Sequence, residues 1–366
     1  MVSAVGYIPS SRHCASAVAC CHAAASTSLQ SGSGISSVEV DELLWQCPAT
    51  NLIRPRNARK VSVRCAEASF STEMPIRNGA WPSMSSDAKP SPSPPDPANR
   101  SRINNRTHRK LLIMDGRVGF TGGVGIGDQW RGDARNPAEW RELHYRATGP
   151  VVAAMQGAFA SNWVEDIGEI LQGPRFFPEL APEGGTAAQL VLSATGSRNY
   201  MHMMLMTAIG GAQSHIRIAT PCMVPDDVAL AQLLQARERG VEVDIIVPGE
   251  HMDKDMVRNA SRHFWGPRLE AGVRIHEYQT TFMHAKLIVI DEAFVSIGST
   301  DFDERSFRLN DEANLNVFDQ DFAREQIGHF LRDLELSRPV TLEHWQNRPL
   351  RTRLADWAWS WLRALL

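Results

Sequence analysis

The sequence predicts an α/β protein built as two related lobes, each a mixed, largely parallel sheet covered by helices, with the first lobe incomplete. Three observations carry this. The string His108-x-Lys110-x4-Asp115 returns 176 residues on as His284-x-Lys286-x4-Asp291, and such self-similarity marks an internal duplication. Apolar runs of strand length alternate with helical stretches over 186–335, the pattern of a sheet covered by helices. Residues 1–100 offer no matching series ahead of the first motif.

Taken in order, residues 1–100 are rich in serine, alanine, proline and cysteine and close on Pro90–Pro97. Such a stretch buries too little apolar surface to order itself and reads as disordered or aberrant. A wrong start or an out-of-frame segment ahead of about residue 101 would produce it, leaving the first sheet with an uncovered edge. The first 38 residues hold no acid but only one arginine, a weak match to a targeting peptide. Residues 101–180 are the remainder of the first lobe, with a strand at Lys110–Asp115.

Residues 181–340 form the second lobe. Leu190–Leu192 and Ile216–Thr220 are strands around a helix near Asn199–Ile209, whose Met201, Met203, Met204 and Met206 are expected to face the core. Asp226–Arg239 is a helix closed by Gly240. The strand Val241–Val247, the helix Arg258–Ala271, the strand Val273–Tyr278 and the motif strand His284–Asp291 complete the lobe. In the tail, 341–366, Leu354, Trp357, Trp361, Leu362 and Leu365 share a helical stripe near Arg351, Arg353 and Arg363. That stripe fits binding at a membrane interface; packing onto the protein's own core fits it equally.

Strand side chains alternate faces, so each histidine points the same way as the lysine two places on. Asp115 and Asp291 fall on the opposite parity and are expected to orient or support rather than react. Two of the chain's five lysines lie in these motifs. Paired histidines suit phosphodiester transfer: a neutral imidazole attacks phosphorus while a protonated one donates to the departing oxygen. Ammonium groups beside them would offset charge on the phosphate oxygens. That chemistry requires no cofactor, and the sequence offers no metal-ligand spacing.

At equal distances after the aspartates come the small pairs Gly122-Gly123 and Gly298-Ser299. With Asn104–Lys110, Trp140–His144 and Arg305–Glu312, these motifs resemble the phospholipase D superfamily over about 101–350, and its bacterial cardiolipin synthase branch in particular. The resemblance implies that His108 is the nucleophile, through a phosphatidyl-histidine, and that His284 is the general acid and then base. It also implies that Glu312 and Glu142 fix the histidine tautomers, and that Gly123 and Ser299 contact the substrate phosphate. Where the family usually carries asparagine, this chain has Gly125 and Asp301; the first removes a donor, and an ionised aspartate repels phosphate unless paired or protonated.

The implied activity is phosphatidyl transfer between two phosphatidylglycerol molecules, giving cardiolipin. Hydrolysis of lipid or nucleic acid phosphodiesters is one alternative, and a catalytically impaired lipid-binding remnant is another. A net charge of −3 gives no general drive toward nucleic acid. Five of the six cysteines precede residue 66, without the spacing of a zinc site, which fits a reducing compartment. No run reaches the ~18 apolar residues a spanning helix needs. The expected location is therefore peripheral, on the cytoplasmic face of the cell membrane, with phospholipid and the membrane surface as partners. Oligomeric state is left open.

Overall fold

Each apolar run behind a histidine–lysine pair turns back on itself as a hairpin. The structure, a computed structural model, describes residues 2–7, 38–39, 62–63, 74–75, 106–194 and 199–361. Its main strands are Val2–Tyr7 (β1), Leu111–Met114 (β2), Val118–Gly122 (β3), His144–Thr148 (β4), Thr186–Leu192 (β5) and His215–Ala219 (β6). Then follow Glu242–Pro248 (β7), Arg274–Tyr278 (β8), Leu287–Ile290 (β9), Phe294–Gly298 (β10), Ala313–Phe318 (β11) and Ser337–Val340 (β12). They form one twelve-stranded sheet in the order β12-β8-β7-β6-β9-β10-β11-β5-β1-β4-β3-β2.

The duplication is visible in that order. β9-β10-β11-β5 and β2-β3-β4-β1 run inward alike and meet where β5 pairs antiparallel with β1. Beyond β9 the second lobe continues through four more strands, whereas among the described residues β2 is the sheet's outer edge. Among the described residues the first lobe shows no counterpart of those four strands, and Val2–Tyr7 supplies one strand in a segment the sequence offered as aberrant. Within this sheet, among the described residues, parallel pairing is confined to β6-β7-β8, the strands joined by helices; the motif strands pair antiparallel as hairpins.

Both hairpins turn on an aspartate. Asp115 and Asp291 each sit at φ 53°, followed by Gly116 at 63° and Glu292 at 52°. Two successive left-handed residues make the tight turn whose twist suits a hairpin. Aspartate tolerates this region better than most side chains, whereas Glu292 does not share that advantage.

Nine helices cover the sheet: Val151–Ile167 (α1), Tyr200–Gly211 (α2), Asp227–Glu238 (α3), Asp255–His263 (α4), Trp265–Glu270 (α5), Glu304–Arg308 (α6), Gln320–Glu335 (α7), Leu342–Gln346 (α8) and Leu350–Ser360 (α9), counted among the described residues. On one face α1 and α7 pack Met155 and Phe330 with Tyr145 and Leu315; on the other α2, α3 and α5 pack Leu205, Leu233 and Trp265 with Ile245. β9 feeds both, Leu287 and Val289 to the first and Ile288 and Ile290 to the second, as strand alternation demands. The single helix expected over Arg258–Ala271 is instead α4 and α5, because Pro267 has no N–H to continue the ladder. In α2, Met203 faces outward at 58 % exposure while Met201 and Met206 are buried.

α9 does not lie on the core by its expected stripe. Its buried Asp356 accepts from Arg262 at 2.9 Å and faces Arg348 at 3.3 Å, and Trp359 packs with Val257 and Ala260. Leu350, Leu354, Trp357 and Trp361 remain open, between 53 % and 74 % exposed. Leu362, Arg363 and Leu365 lie outside the described residues.

Candidate active site

Each motif histidine is docked by backbone onto the opposite repeat. His108 N donates to Asp311 O at 2.8 Å, beside the parallel pairing of Arg106–Thr107 with Asn310–Asp311. His284 N donates to Arg141 O at 2.8 Å, and Arg141 N to Phe282 O at 2.9 Å. Arg141 is clamped in turn by Asp333, 2.7 Å from its Nε. Arg109, buried between the pair of motif 1, donates to Ala158 O, Ser161, Asn162 and Ser193 O, tying that motif to α1 and to the start of the second lobe.

This docking crosses the carboxylates. His108 Nδ1 lies 2.9 Å from Glu312, and His284 Nδ1 is hydrogen-bonded to Glu142. Each glutamate therefore serves the histidine of the other repeat, leaving both Nε2 atoms as the ring nitrogens away from the carboxylates. The sequence carried both glutamates only through the family resemblance, and the crossing left no trace in it.

Gly123 and Ser299, expected at the substrate phosphate, stand behind these carboxylates. Ser299 Oγ donates to Glu312 at 2.5 Å. A Cβ at Gly123 would strike the Glu142 carboxylate. Gly123 and Ser299 are therefore explained by the buried carboxylate each stands against. Gly125 is explained by Trp130, whose ring would meet a Cβ there at 2.8 Å. The aspartates also keep away from reaction. Asp291 accepts from the backbone N–H groups of Gln213, Ser214 and His215 and from the Ser214 hydroxyl, pinning the entry to β6. Asp115 is exposed; the first lobe has no described strand in the place of β6.

Burial makes these groups electrostatically unlike. Burial first, then the ammonium groups of Lys286 and Lys110, hold the His284 imidazole well below its ordinary value. Burial pushes the Glu142 carboxyl up to about 7 against the pull of Lys286. For Glu312 burial acts in the same direction, but His108, by charge and by hydrogen bond, outweighs it together with Lys110 and Ser299; its carboxyl falls below the usual value. The site thus sets a His284 held toward its neutral form beside a raised Glu142 carboxyl, and His108 beside a lowered Glu312 carboxyl. Lys286 Nζ lies 2.9 Å from His284 O and 3.3 Å from both its ring nitrogens, and it pairs with Asp301 at 3.2 Å.

Sequence reading missed the aromatic wall around His284. Trp130, Trp140 and Phe282 bring their rings to 5.8, 5.3 and 5.6 Å from the imidazole. Two tryptophans within twelve residues ahead of Glu142, Trp130 and Trp140, were the available signal. It also missed His215, Glu242 and Asp244, which lie together at the far end of β6 and β7. Arg274 sits on both carboxylates, 2.7 Å from Glu242 and 2.6 Å from Asp244, so the group reads as a charge network.

Residues 205–334 match the family described as "Cardiolipin synthase, PLD-like domain". Cardiolipin synthase 2 of Bacillus cereus is 34 % identical over 273 residues, 74 % of this chain and 53 % of that protein. Cardiolipin synthase A of Pseudomonas putida KT2440 is 35 % identical over 251 residues, 68 % of this chain and 51 % of that protein. The chain thus spans about half the length of the curated relatives it matches. A crystal structure of phosphatidylserine synthase from Haemophilus influenzae Rd KW20 superposes with a TM-score of 0.54 at 14 % identity, covering 71 % of each chain. It shares the fold.

Proposed function

We propose that this chain, whose fold and second lobe are of the phospholipase D type, transfers a phosphatidyl group between two phosphatidylglycerol molecules, forming cardiolipin and releasing glycerol. The crossed pair of histidine–glutamate dyads is the observation that carries this reading: two imidazoles, each fixed at Nδ1, face one site with a lysine apiece. Identity to cardiolipin synthases supports the choice of substrate.

The electrostatics favour the reverse of the order that the family resemblance implies. His284 is the unprotonated member and attacks phosphorus through Nε2. His108, held at Nδ1 by Glu312, is the acid and gives a proton to the departing glycerol oxygen. In the second half, neutral His108 takes the proton of the acceptor's hydroxyl, that oxygen bonds phosphorus, and the phosphorus–nitrogen bond to His284 breaks. Lys110 and Lys286 offset charge on the phosphate oxygens throughout. Acid quenching during turnover of phosphatidylglycerol, followed by peptide mass spectrometry, is expected to find the phosphatidyl group on His284. Finding it on His108 restores the other order; a histidine-free covalent adduct defeats the mechanism.

Such an enzyme works at the surface that holds its substrate, on the cytoplasmic face of the cell membrane. Among the described residues no helix is long and apolar enough to cross a membrane. The open stripe Leu350, Leu354, Trp357 and Trp361 of α9, flanked by exposed Arg351 and Arg353, supports peripheral contact with anionic lipid.

A further inference from the structure

Lys286 is met by a carboxylate from its own repeat. In the second repeat, Asp301 stands two residues beyond Ser299 and pairs with Lys286 Nζ at 3.2 Å. The corresponding place in the first repeat is Gly125, which offers no side chain and is filled by the Trp130 ring. Lys286 is 1 % exposed and Asp301 17 %, so the carboxylate is the partner with a way out.

What lies behind Asp301 holds still. Asp303 is buried, caps α6 by accepting from Ser306 N at 2.6 Å, and sits close enough to Asp301 that their charges repel. The Cys222 thiol hydrogen-bonds to Asp303 from the segment ahead of α3. Asp303 is fixed and Asp301 is not, so the repulsion favours outward movement of Asp301 once Lys286 finds another anion. One ammonium cannot serve both at full strength: a phosphate oxygen on Lys286 must compete with a carboxylate already there.

We propose that Asp301 is a resident stand-in for the substrate phosphate, occupying Lys286 between turnovers and yielding it to the incoming phosphodiester. This rests on the reading that the site takes a phosphodiester. Asp301 then sets how tightly the second lysine grips an anion. Asp301 acts through Lys286 and is a positioning residue.

The test uses the full chain and tungstate as a phosphate probe, with affinity measured by calorimetry at one pH. Asp301→Asn, which keeps the shape and removes the charge, is expected to bind tungstate about tenfold tighter or more. Asp301→Glu should stay near the parent. In a Lys286→Met background the Asp301→Asn effect should vanish, since the two act as a pair. Asp301→Ala is the second variant should the amide prove unstable, and thermal melts confirm folding in each. On phosphatidylglycerol, Asp301→Asn should lower KM more than it changes kcat. Equal or weaker tungstate binding by a folded charge-removed variant overturns the proposal, as does a gain that persists in Lys286→Met. Tighter tungstate binding without any lipid turnover upholds this inference while removing the cardiolipin reading. Turnover with unchanged tungstate affinity does the converse.

Discussion

Glu142 and Glu312 each support the histidine of the other repeat, so the loss of any one of four side chains disables half of the site. His108→Ala and His284→Ala should each remove nearly all turnover, because attack and leaving-group protonation have no spare. Lys110→Ala and Lys286→Ala should cost on the order of 10²–10³-fold in kcat, the usual loss of a charge-stabilising donor. Glu142 also leaves a mark on stability. Its carboxyl is raised to about 7 from the ordinary 4.5. Below the ordinary value both states are protonated; between the two values only the unfolded chain ionises, so stability drains as pH rises and the full cost stands above about 7. That cost is on the order of 3 kcal/mol. Thermal melts from pH 5 to pH 8 should therefore show Glu142→Gln gaining steadily on the parent; a constant difference would mean that burial does not hold the proton. The histidines and lysines were legible because two motifs repeat in register. The purpose of Ser299 and Gly123 was not, since a small residue in a string does not say what it makes room for.

At the scale of elements, the hairpin aspartates show how far periodicity reaches. Strand parity set them apart from the reacting side chains, and the structure makes them turn residues. Glu292 adopts a left-handed φ of 52° that glycine takes without cost, so Glu292→Gly should stabilise the fold by about 1 kcal/mol in denaturant titration. A loss instead would mean that the Glu292 side chain contributes more than its backbone costs. The tail helix was legible as an amphipathic stripe but not in its direction. Asp356, an acid in an otherwise basic and aromatic segment, turned out to be the docking residue. Deleting the whole tail would bare Arg262, so point changes are the cleaner probe. Asp356→Ala should cost roughly 3–5 kcal/mol by leaving buried arginine charge uncompensated. Trp357→Ser with Trp361→Ser should leave the melt unchanged and weaken sedimentation with phosphatidylglycerol vesicles. Unaltered sedimentation would place the lipid contact elsewhere.

At the scale of the molecule, one sheet runs through both repeats and the site is assembled across them. Residues 181–366 alone carry His284 and Glu312 but neither partner, His108 or Glu142. That fragment should be inactive and should expose the edge of β5, seen as aggregation during gel filtration. The alternation of strands and helices made the second lobe readable. The pairing of Val2–Tyr7 into the junction was not readable, because one short strand carries no periodic signal of its own. The proposed function has two fixed imidazoles passing a phosphatidyl group from one alcohol to another. The most direct measurement incubates the full chain with phosphatidylglycerol vesicles in EDTA and resolves the lipid and water-soluble products. Cardiolipin and glycerol in equal amounts, abolished by His108→Ala and by His284→Ala, are the predicted result; phosphatidic acid in place of cardiolipin, or no product from folded protein, would contradict it.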